Sequence, residues 1–233
     1  MTILPTGRTG KTATRISLRG VKFDWHDPST FENVFTTDPN IDRIYLVAPG
    51  ATSERFVLLT ASTMADGYPL MGPKAHEYLL SLKVDYAVLR PSWFFENFLT
   101  VHLRTIKEQN TIISAFADGK IGFTSADDIA NLAVSALTDE KSHNTDHIIT
   151  GPELLSYDDA QVLGRKITHT RITVEELKQR YTSFGLPEGF AGMLSSLDGL
   201  NANGGEEEIF KAPKKVTGKR TLRSFVEANN ASF

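Results

Sequence analysis

A segment near the start of the chain, ILPTGRTGKTATR, contains residue types that bind phosphate groups. Gly10, Lys11 and Thr12 match the end of a nucleotide-hydrolase P-loop, whereas Gly7 and Gly10 match the start of a dinucleotide-binding turn. Both motifs bind phosphates with backbone N–H groups at a helix N-terminus, where glycine lets the ligand approach closely. The segment therefore predicts a nucleotide site and leaves two chemistries, hydrolysis and redox, to be distinguished.

Further requirements distinguish the two motifs. A P-loop needs a glycine at position 5, but Pro5 stands there and has no backbone N–H. A hydrolase also needs an aspartate at the end of a strand to hold Mg²⁺, and the predicted strands RIYLVAPG and RFVLLTAS end without one. A dinucleotide turn needs two glycines and a small third residue, which Gly7, Gly10 and Ala13 provide. The segment therefore favours a dinucleotide cofactor.

Short apolar runs alternate with helical patterns through the N-terminal part of the chain. The runs are apolar throughout rather than alternating, which is typical of a parallel sheet covered on both faces. The predicted strands are MTILP, GVKFDW, DRIYLVAPG, RFVLLTAS and VDYAVLRPSWF, and the predicted helices are KTATRIS, DPSTFENVF and GPKAHEYLLSL. This order predicts an α/β protein with a Rossmann-type, doubly wound parallel sheet.

The pattern changes in the second half of the chain. FTSADDIANLAVSALTDE has apolar residues at helical spacing, and Ser125 with Asp128 predicts a capping box at its start. A strand, a turn and a helix start are predicted in DHIITGPELLSYDDA, helices in TVEELKQRYTSFGLPEGFAGMLSSLDG and RTLRSFVEANN, and solvated connectors in NANGGEEE and APKKVTGKR. We expect an NAD(P)-binding domain over residues 1–150 and a smaller, mostly helical substrate-binding region over residues 151–233.

The composition argues against several function classes. The 233 residues carry a net charge of −3 and a pI near 6.1, which argues against a broad nucleic-acid surface. The absence of cysteine excludes disulfides and cysteine nucleophiles and is typical of a reducing cytosol. The six histidines show no metal-binding spacing, and no apolar run approaches the ~20 residues of a membrane span. We expect a cytoplasmic protein with a small-molecule substrate and no metal, membrane or nucleic-acid partner.

Seven segments resemble the NmrA-like branch of the atypical short-chain dehydrogenase/reductases, and the similarity covers nearly the whole chain. Within that branch they are similar to the festuclavine and agroclavine dehydrogenases of fungal ergot alkaloid biosynthesis. The segments are MTILPTGRTGKTATRIS, RFVLLTAS, LRPSWFFENF, DGKIGFTSADDIA, LTDEKSHNTDHIITGPELLSY, VLGRKITH and GLPEGFAGMLSSLD. The resemblance implies NADPH-dependent reduction of the iminium ion that forms when chanoclavine-I aldehyde cyclises, with festuclavine or agroclavine as the product.

The resemblance implies a cofactor site around the glycine turn and at the carboxyl ends of the strands. By this register Asp24 ends the third strand, near the adenine, and Arg8 is the cation available for the 2′-phosphate of NADPH. Pro49 and Ser62 follow strands at the edge where such sheets bind ligands. The predicted cofactor-binding residues are Thr6, Gly7, Arg8, Thr9, Gly10, Lys11, Thr12, Asp24, Pro49 and Ser62.

The Tyr-x-x-x-Lys pair of most short-chain reductases is absent, since none of the six tyrosines has a lysine four residues later. Hydride addition to C=N⁺ neutralises a cation and leaves no oxyanion to protonate, so an iminium substrate tolerates this absence. The run SWFFENF offers Trp93 or Phe94 as an aromatic wall for the cation and Glu96 as its counter-charge. Lys74 falls near the lysine of isoflavone-reductase-like relatives, and Tyr78 follows one turn later, so both are candidate catalytic residues.

Three intervals are shorter than the resemblance predicts. Roughly 20 residues are missing after Ser17, and residues 50–55 are too few for the crossover helix that parallel strands need. SYDDAQVLGRK is short by a turn or two of helix. These intervals suggest a shortened gene product, so two alternatives stay open beside the reductase: a non-catalytic NADP-binding redox sensor of the NmrA type, and an inactive truncated product.

Overall fold

The computed structural model describes residues 3–5, 43–46, 55–62, 71–159 and 166–233. The chain divides into two compact units. The first comprises Met1–Pro91 and Ala126–Ile149, and the second comprises Ser92–Ser125 and Thr150–Phe233. One boundary lies close to the predicted division at residue 150, but the structure also assigns residues 92–125 to the second unit.

The described strands are β1 (Ile3–Pro5), β2 (Arg43–Leu46), β3 (Arg55–Leu59), β4 (Asp85–Pro91), β5 (Thr111–Ser114), β6 (Thr145–Thr150), β7 (Thr168–Arg171) and β8 (Lys215–Thr217). The described α-helices are α1 (Met71–Ser81), α2 (Leu103–Gln109), α3 (Ala126–Thr138), α4 (Val174–Ser183), α5 (Glu188–Ala202), α6 (Gly205–Phe210) and α7 (Leu222–Ala228). Short 3₁₀ helices cover Phe95–Leu99 and Asn230–Ser232. The predicted elements KTATRIS, GVKFDW and DPSTFENVF lie outside the described residues.

The first unit is built on parallel strands that lie side by side in the order β1, β2, β3, β4, β6. Successive residues of β3 and β4 are buried on both faces, as the continuous apolar runs predict. Helix α3 packs over β2, β3 and β4. These features confirm the Rossmann-type parallel sheet. In such a sheet a dinucleotide binds at the carboxyl ends of the strands.

The connection between β2 and β3 is unusually short for parallel neighbours. Leu46 pairs with Leu58 and Arg43 pairs with Arg55, so the two strands run in the same direction in register. Residues 47–54 are all that separate the two strands in the sequence, and they are fewer than a helical crossover needs. The prediction that residues 50–55 are too short for a crossover helix assumes that the two flanking strands are parallel. The pairing of β2 with β3 confirms that they are parallel.

The second unit combines a two-stranded parallel sheet, β5 with β7, and most of the helices. Its core is aromatic and centres on Tyr157, which is 2 % exposed. Ring centroids of Phe98, Phe116 and Phe123 lie 6.0, 5.3 and 5.6 Å from that of Tyr157. Such edge and tilted contacts stabilise aromatic clusters beyond the area that they bury.

Helices α4 and α5 form an antiparallel pair whose ends are set by local chemistry. Thr173 caps α4: its hydroxyl accepts from the Glu176 N–H at 3.2 Å, and the Glu176 carboxylate accepts from the Thr173 N–H at 2.7 Å. After α4 the chain turns through Gly185, at φ +90°, and Pro187 directly precedes α5. Gly119 is packed so closely on the end of α5 that a Cβ there would overlap the carbonyl oxygen of Asn201.

Two segments predicted as solvated connectors are ordered elements, so that prediction was wrong. NANGGEEE contributes to α6, and APKKVTGKR contains β8. Within α6 the Glu206 side chain is fully buried, and its carboxylate accepts a hydrogen bond from the Ser92 hydroxyl. A run of acidic residues predicts exposure, but a buried carboxylate is tolerated where a donor is supplied. Strands β5 and β7 also went unpredicted.

Among the described residues, no helix is long and apolar enough to cross a membrane. The same residues contain no group of three or more histidine or acidic side chains that could hold a metal ion.

Candidate functional site

A cavity of about 410 Å³ lies within the second unit. The 3₁₀ helix, α2, β5 and the α4–α5 pair all contribute to its wall. Most of the wall is apolar, and its aromatic members are Trp93, Tyr157, Tyr181 and Phe184. A cavity of this size and lining is typical of a site for a small organic molecule.

Of the three residues predicted to contact the substrate, Trp93, Phe94 and Glu96, Trp93 lines this cavity. Its carbonyl oxygen accepts from the Thr124 N–H at 2.9 Å, which fixes the backbone two residues after β4. Its ring stands edge-on to Phe116, with centroids 5.0 Å apart and planes at 79°. Phe94 forms a bridge to Thr124, and Glu96 is buried in the 3₁₀ helix; neither lines the cavity.

A hydrogen-bonded pair occupies the wall beside Trp93. The Tyr157 hydroxyl lies 3.1 Å from His102 Nε2, and both side chains are buried. Burial raises the pKa of Tyr157 well above its ordinary value, and the nearby Asp198 carboxylate raises it further. Burial likewise raises the pKa of Tyr181 to about 12. Both phenols therefore keep their protons at neutral pH and act as neutral hydrogen-bonding groups.

Asp198 on α5 is the acidic side chain of the cavity lining. It is 3 % exposed, and its Oδ2 accepts a hydrogen bond from the Ala115 N–H at 3.0 Å. Burial raises the pKa of Asp198 to about 7, and the hydrogen bond from Ala115 opposes that rise only in part. The carboxyl therefore changes charge near neutral pH while facing an apolar cavity.

Arg180 is the cationic residue of the lining. Its guanidinium carbon lies 5.1 Å from the centroid of the Phe184 ring, a distance at which cations are attracted to aromatic faces. More than half of the Phe184 surface is exposed. Arg180 therefore belongs to an accessible part of the wall and stacks on an aromatic ring there.

The carboxyl ends of β3 and β4 are joined at the edge of the sheet in the first unit. The Ser62 N–H donates to the Pro91 carbonyl at 2.9 Å, and Arg90 Nη2 donates to the Ser62 carbonyl at 3.2 Å. Arg90 also approaches Asp146 at 3.4 Å, and His76 Nε2 lies 3.1 Å from the same carboxylate. These contacts hold the segment after β3 at the edge where dinucleotides bind.

The carboxyl ends of β1 and β3 lie at one edge of the parallel sheet, the edge at which sheets of this kind bind dinucleotides. Pro5 pairs with Tyr45 at the carboxyl end of β1, and the predicted cofactor residues Thr6 to Thr12 follow directly in the chain. The buried Ser62 lies just beyond the carboxyl end of β3, two strands away. Thr6 to Thr12, Asp24 and Pro49 lie outside the described residues, so their roles stay predictions.

The candidate catalytic residues both belong to α1. Lys74 is in its first turns, and Tyr78 is 55 % exposed with its carbonyl accepting from the Ser81 hydroxyl at 2.6 Å. Tyr78 does not line the cavity of the second unit. Their catalytic assignment stays a prediction.

Sequence reasoning missed Asp198, Tyr157 and His102. A signal for Asp198 was present, because it shares the buried face of α5 with Ala191 and Asn201 at helical spacing. An acid at a core-facing position of an apolar helix is unusual and indicates either a buried partner or a site. Tyr157 and His102 lie far apart in the chain and carry no comparable signal.

Comparison with known proteins places the chain among reductases. It is 40 % identical over 282 aligned positions to an agroclavine dehydrogenase of Claviceps fusiformis, covering 98 % of this chain and 97 % of the relative. It is 39 % identical to a festuclavine dehydrogenase of Aspergillus fumigatus, covering 94 % of this chain and 93 % of the relative. Since 282 positions exceed the 233 residues of this chain, the Claviceps relative carries residues that have no counterpart here.

Solved structures share the fold. A crystal structure of an NADPH-dependent quinone oxidoreductase from Escherichia coli, in complex with NADPH, matches with a TM-score of 0.74 over 97 % of this chain and 99 % of that one. The two sequences are 16 % identical, so this likeness concerns the fold alone. No family model matches the chain. On the identity and coverage of its relatives, the chain belongs to the agroclavine and festuclavine dehydrogenase family of NmrA-like oxidoreductases.

Proposed function

We propose that this protein reduces the C=N⁺ bond of a clavine iminium, formed from chanoclavine-I aldehyde, to festuclavine or agroclavine with NADPH as the reductant. Its relatives bear the names of these dehydrogenases, at 40 % and 39 % identity. The observation that carries the proposal is a mainly apolar, aromatic cavity bordered by one buried carboxyl, Asp198, and by two phenols whose pKa values are raised by burial. That set suits a cationic substrate that needs no proton during reduction.

The proposed cofactor site is the carboxyl edge of the sheet in the first unit. Thr6 to Thr12 would hold the phosphates after β1, with Arg8 as the cation for the 2′-phosphate. The buried Ser62 is fixed beyond β3 by its hydrogen bonds with Pro91 and Arg90. NADPH, when bound, supplies the hydride.

The two phenols of the cavity are poorly suited to protonate the alkoxide that reduction of a carbonyl would leave. Reduction of a carbonyl leaves an alkoxide, which needs a nearby acid of suitable pKa. Burial raises the pKa of Tyr157 well above its usual value and that of Tyr181 to about 12, so neither phenol gives up its proton readily. Reduction of an iminium leaves a neutral amine and makes no such demand.

The aromatic wall contributes orientation and desolvation. Trp93 is held edge-on against Phe116 and presents its indole to the cavity. An aromatic face binds a flat cation through its quadrupole and by removing apolar surface from water. Because the 410 Å³ cavity is mainly apolar, water that would hydrolyse an iminium is displaced when the substrate binds.

The test is a titration of the purified full chain with NADPH and NADH, followed by nicotinamide fluorescence, and then turnover with chanoclavine-I aldehyde. Saturable binding that favours NADPH, with NADPH oxidation on addition of the aldehyde, supports the proposal. Binding without turnover contradicts it in favour of an NADP-binding redox sensor. Failure to bind either cofactor contradicts it in favour of an inactive, shortened product.

A further inference from the structure

We propose that the Asp198 carboxylate is the counter-charge that binds the cationic nitrogen of the substrate, and that the cavity around it selects flat, polycyclic organic cations. This inference rests on the proposed function, which supplies a substrate with a positively charged nitrogen. It replaces Glu96, which sequence reasoning assigns this role, with a residue on a different element. The assignment follows from position, partners and the charges nearby.

Position favours Asp198 over Glu96. Asp198 lines the 410 Å³ cavity together with Trp93 and Tyr157, whereas Glu96 does not reach it. Both carboxyls are buried, at 3 % and 6 % exposure. A carboxylate can neutralise a bound cation only if it borders the space that the cation occupies, and of these two only Asp198 does.

The partners of Asp198 leave its charge uncompensated. Among the residues that the structure describes, the hydrogen bond to its carboxyl comes from the Ala115 backbone N–H, a neutral donor bound to Oδ2 at 3.0 Å. No described cation forms an ion pair with it. A buried carboxylate without a cationic partner is costly, and a ligand cation removes much of that cost.

The remaining charged and titratable groups around Asp198 do not supply a cation that could neutralise it instead of the ligand. Tyr157 and Tyr181 are phenols whose pKa values are raised by burial and by Asp198 itself. His169, whose ring packs on Tyr157, has a pKa lowered by burial and then by Arg171. Arg180 stacks on Phe184, and its charge does not contribute to the pKa of Asp198. His102 is bonded to the Tyr157 hydroxyl at 3.1 Å.

Binding of a cation is therefore linked to release of a proton. The pKa of Asp198 in the empty cavity is about 7, because burial disfavours the carboxylate. A cation binds the ionised form, so below about pH 7 each bound cation must displace one proton. The apparent affinity then falls about tenfold for each pH unit below the pKa and levels off above it.

The test uses N-methylquinolinium, a flat bicyclic cation with no titratable proton, and its neutral isostere 1-methylnaphthalene. Binding of each to the full chain is measured by calorimetry from about pH 5 to about pH 8, in buffers of different ionisation enthalpy. We expect N-methylquinolinium to bind about 100-fold more weakly at about pH 5 than at about pH 8, with release of one proton at the lower pH. Binding of 1-methylnaphthalene should not depend on pH.

Asp198→Asn keeps the acceptor for the Ala115 N–H and removes the charge, so it is the matched variant. We expect it to weaken N-methylquinolinium at about pH 8 by tenfold or more, to abolish the pH dependence, and to leave 1-methylnaphthalene binding as in the wild type. A pH profile that persists in Asp198→Asn arises from a different group and overturns the proposal. Equal binding of both probes by the wild type, or no binding of the cation, also overturns it without recourse to any variant.

Turnover of chanoclavine-I aldehyde is measured separately on the wild type, so the two proposals fail in different ways. Turnover without selectivity for the cation overturns the role of Asp198 alone. Selective cation binding without turnover overturns the proposed reductase activity and leaves the cation site standing.

Discussion

The carboxyl of Asp198 on α5 accepts a hydrogen bond from the backbone N–H of Ala115, just after β5, over 3.0 Å. This contact joins α5 to β5 at the wall of the cavity and is made by a side chain that is 3 % exposed. A neutral donor holds the carboxyl in place without cancelling its charge. Burial makes ionisation of Asp198 costly, and the hydrogen bond from Ala115 offsets only part of that cost.

This cost predicts a pH-dependent effect of Asp198→Asn on stability. Burial raises the pKa of Asp198 from 3.8 to about 7, so between these values the folded state binds more protons than the unfolded state. The Asp198 contribution to the free energy of unfolding therefore falls as pH rises from about 4 to about 7 and is constant above that. The variant has no such dependence.

Relative to the wild type, Asp198→Asn should gain stability as pH rises, up to a limit of about 4 kcal/mol at about pH 8. Urea unfolding of both proteins at about pH 4 and about pH 8 measures the difference. The Asn side chain still accepts from Ala115, so loss of that hydrogen bond does not confound the comparison. A difference that is the same at both pH values contradicts the prediction.

Trp93 is expected to determine affinity for the alkaloid rather than for the cofactor. Trp93→Ala removes the aromatic face from the cavity and the edge contact with Phe116, so kcat/KM for the iminium should fall at least about tenfold. Trp93→Phe should recover part of that loss. Phe190→Ala is the control, since Phe190 on α5 is 51 % exposed and does not line the cavity. A rise in the KM for NADPH of the same size would show that Trp93 supports the fold instead.

The hydrogen bond between Ser92 and Glu206 is expected to stabilise the second unit. Both side chains are buried, so Ser92→Ala removes a donor from a desolvated carboxylate and should lower the free energy of unfolding by about 1–3 kcal/mol. Glu208→Gln, on the same helix, breaks only an exposed pair with Lys211 and should cost less than about 1 kcal/mol. Chemical denaturation of the two variants checks the ranking. Equal stabilities would mean that the hydrogen bond from Ser92 to Glu206 stabilises the unit no more than an exposed ion pair does, which contradicts the prediction.

Tyr78 offers a test of the predicted catalytic pair on α1. Its side chain is 55 % exposed, so Tyr78→Phe should leave stability within about 0.5 kcal/mol of the wild type. If the assignment is right, kcat for the alkaloid falls about tenfold or more. Tyr86→Phe, on β4, is the control for loss of a phenol elsewhere in the same unit. An unchanged kcat in Tyr78→Phe removes Tyr78 from the site.

The parallel sheet was predictable because its signal is local. The runs MTILP, RFVLLTAS and VDYAVLRPSWF are apolar without alternation, and β1, β3 and β4 form within them. Strands β5 and β7 are short and carry polar residues, such as Thr111 and His169, that suppress that signal. Their pairing depends on residues more than fifty positions apart, which no local pattern records.

The candidate site was predictable only where it coincides with a conspicuous motif. Trp93 stands in an aromatic run that sequence reasoning singled out, and it lines the cavity. Asp198 sits in a helix that reads as ordinary core, so its acid was overlooked, and the Tyr157–His102 pair is formed by residues from separate segments. Burial decides the properties of these groups, and burial is set by the tertiary fold.

Transfer of a labelled hydride from NADPH distinguishes reduction of a C=N⁺ bond from reduction of a carbonyl. The full chain is incubated with chanoclavine-I aldehyde and NADPH deuterated at the transferable position, and the products are identified by mass spectrometry and NMR. We expect a cyclic tertiary amine with one deuterium on a carbon bonded to the ring nitrogen. Deuterium on the carbinol carbon of an open-chain alcohol would show carbonyl reduction instead, and the proposed iminium reduction would then be wrong.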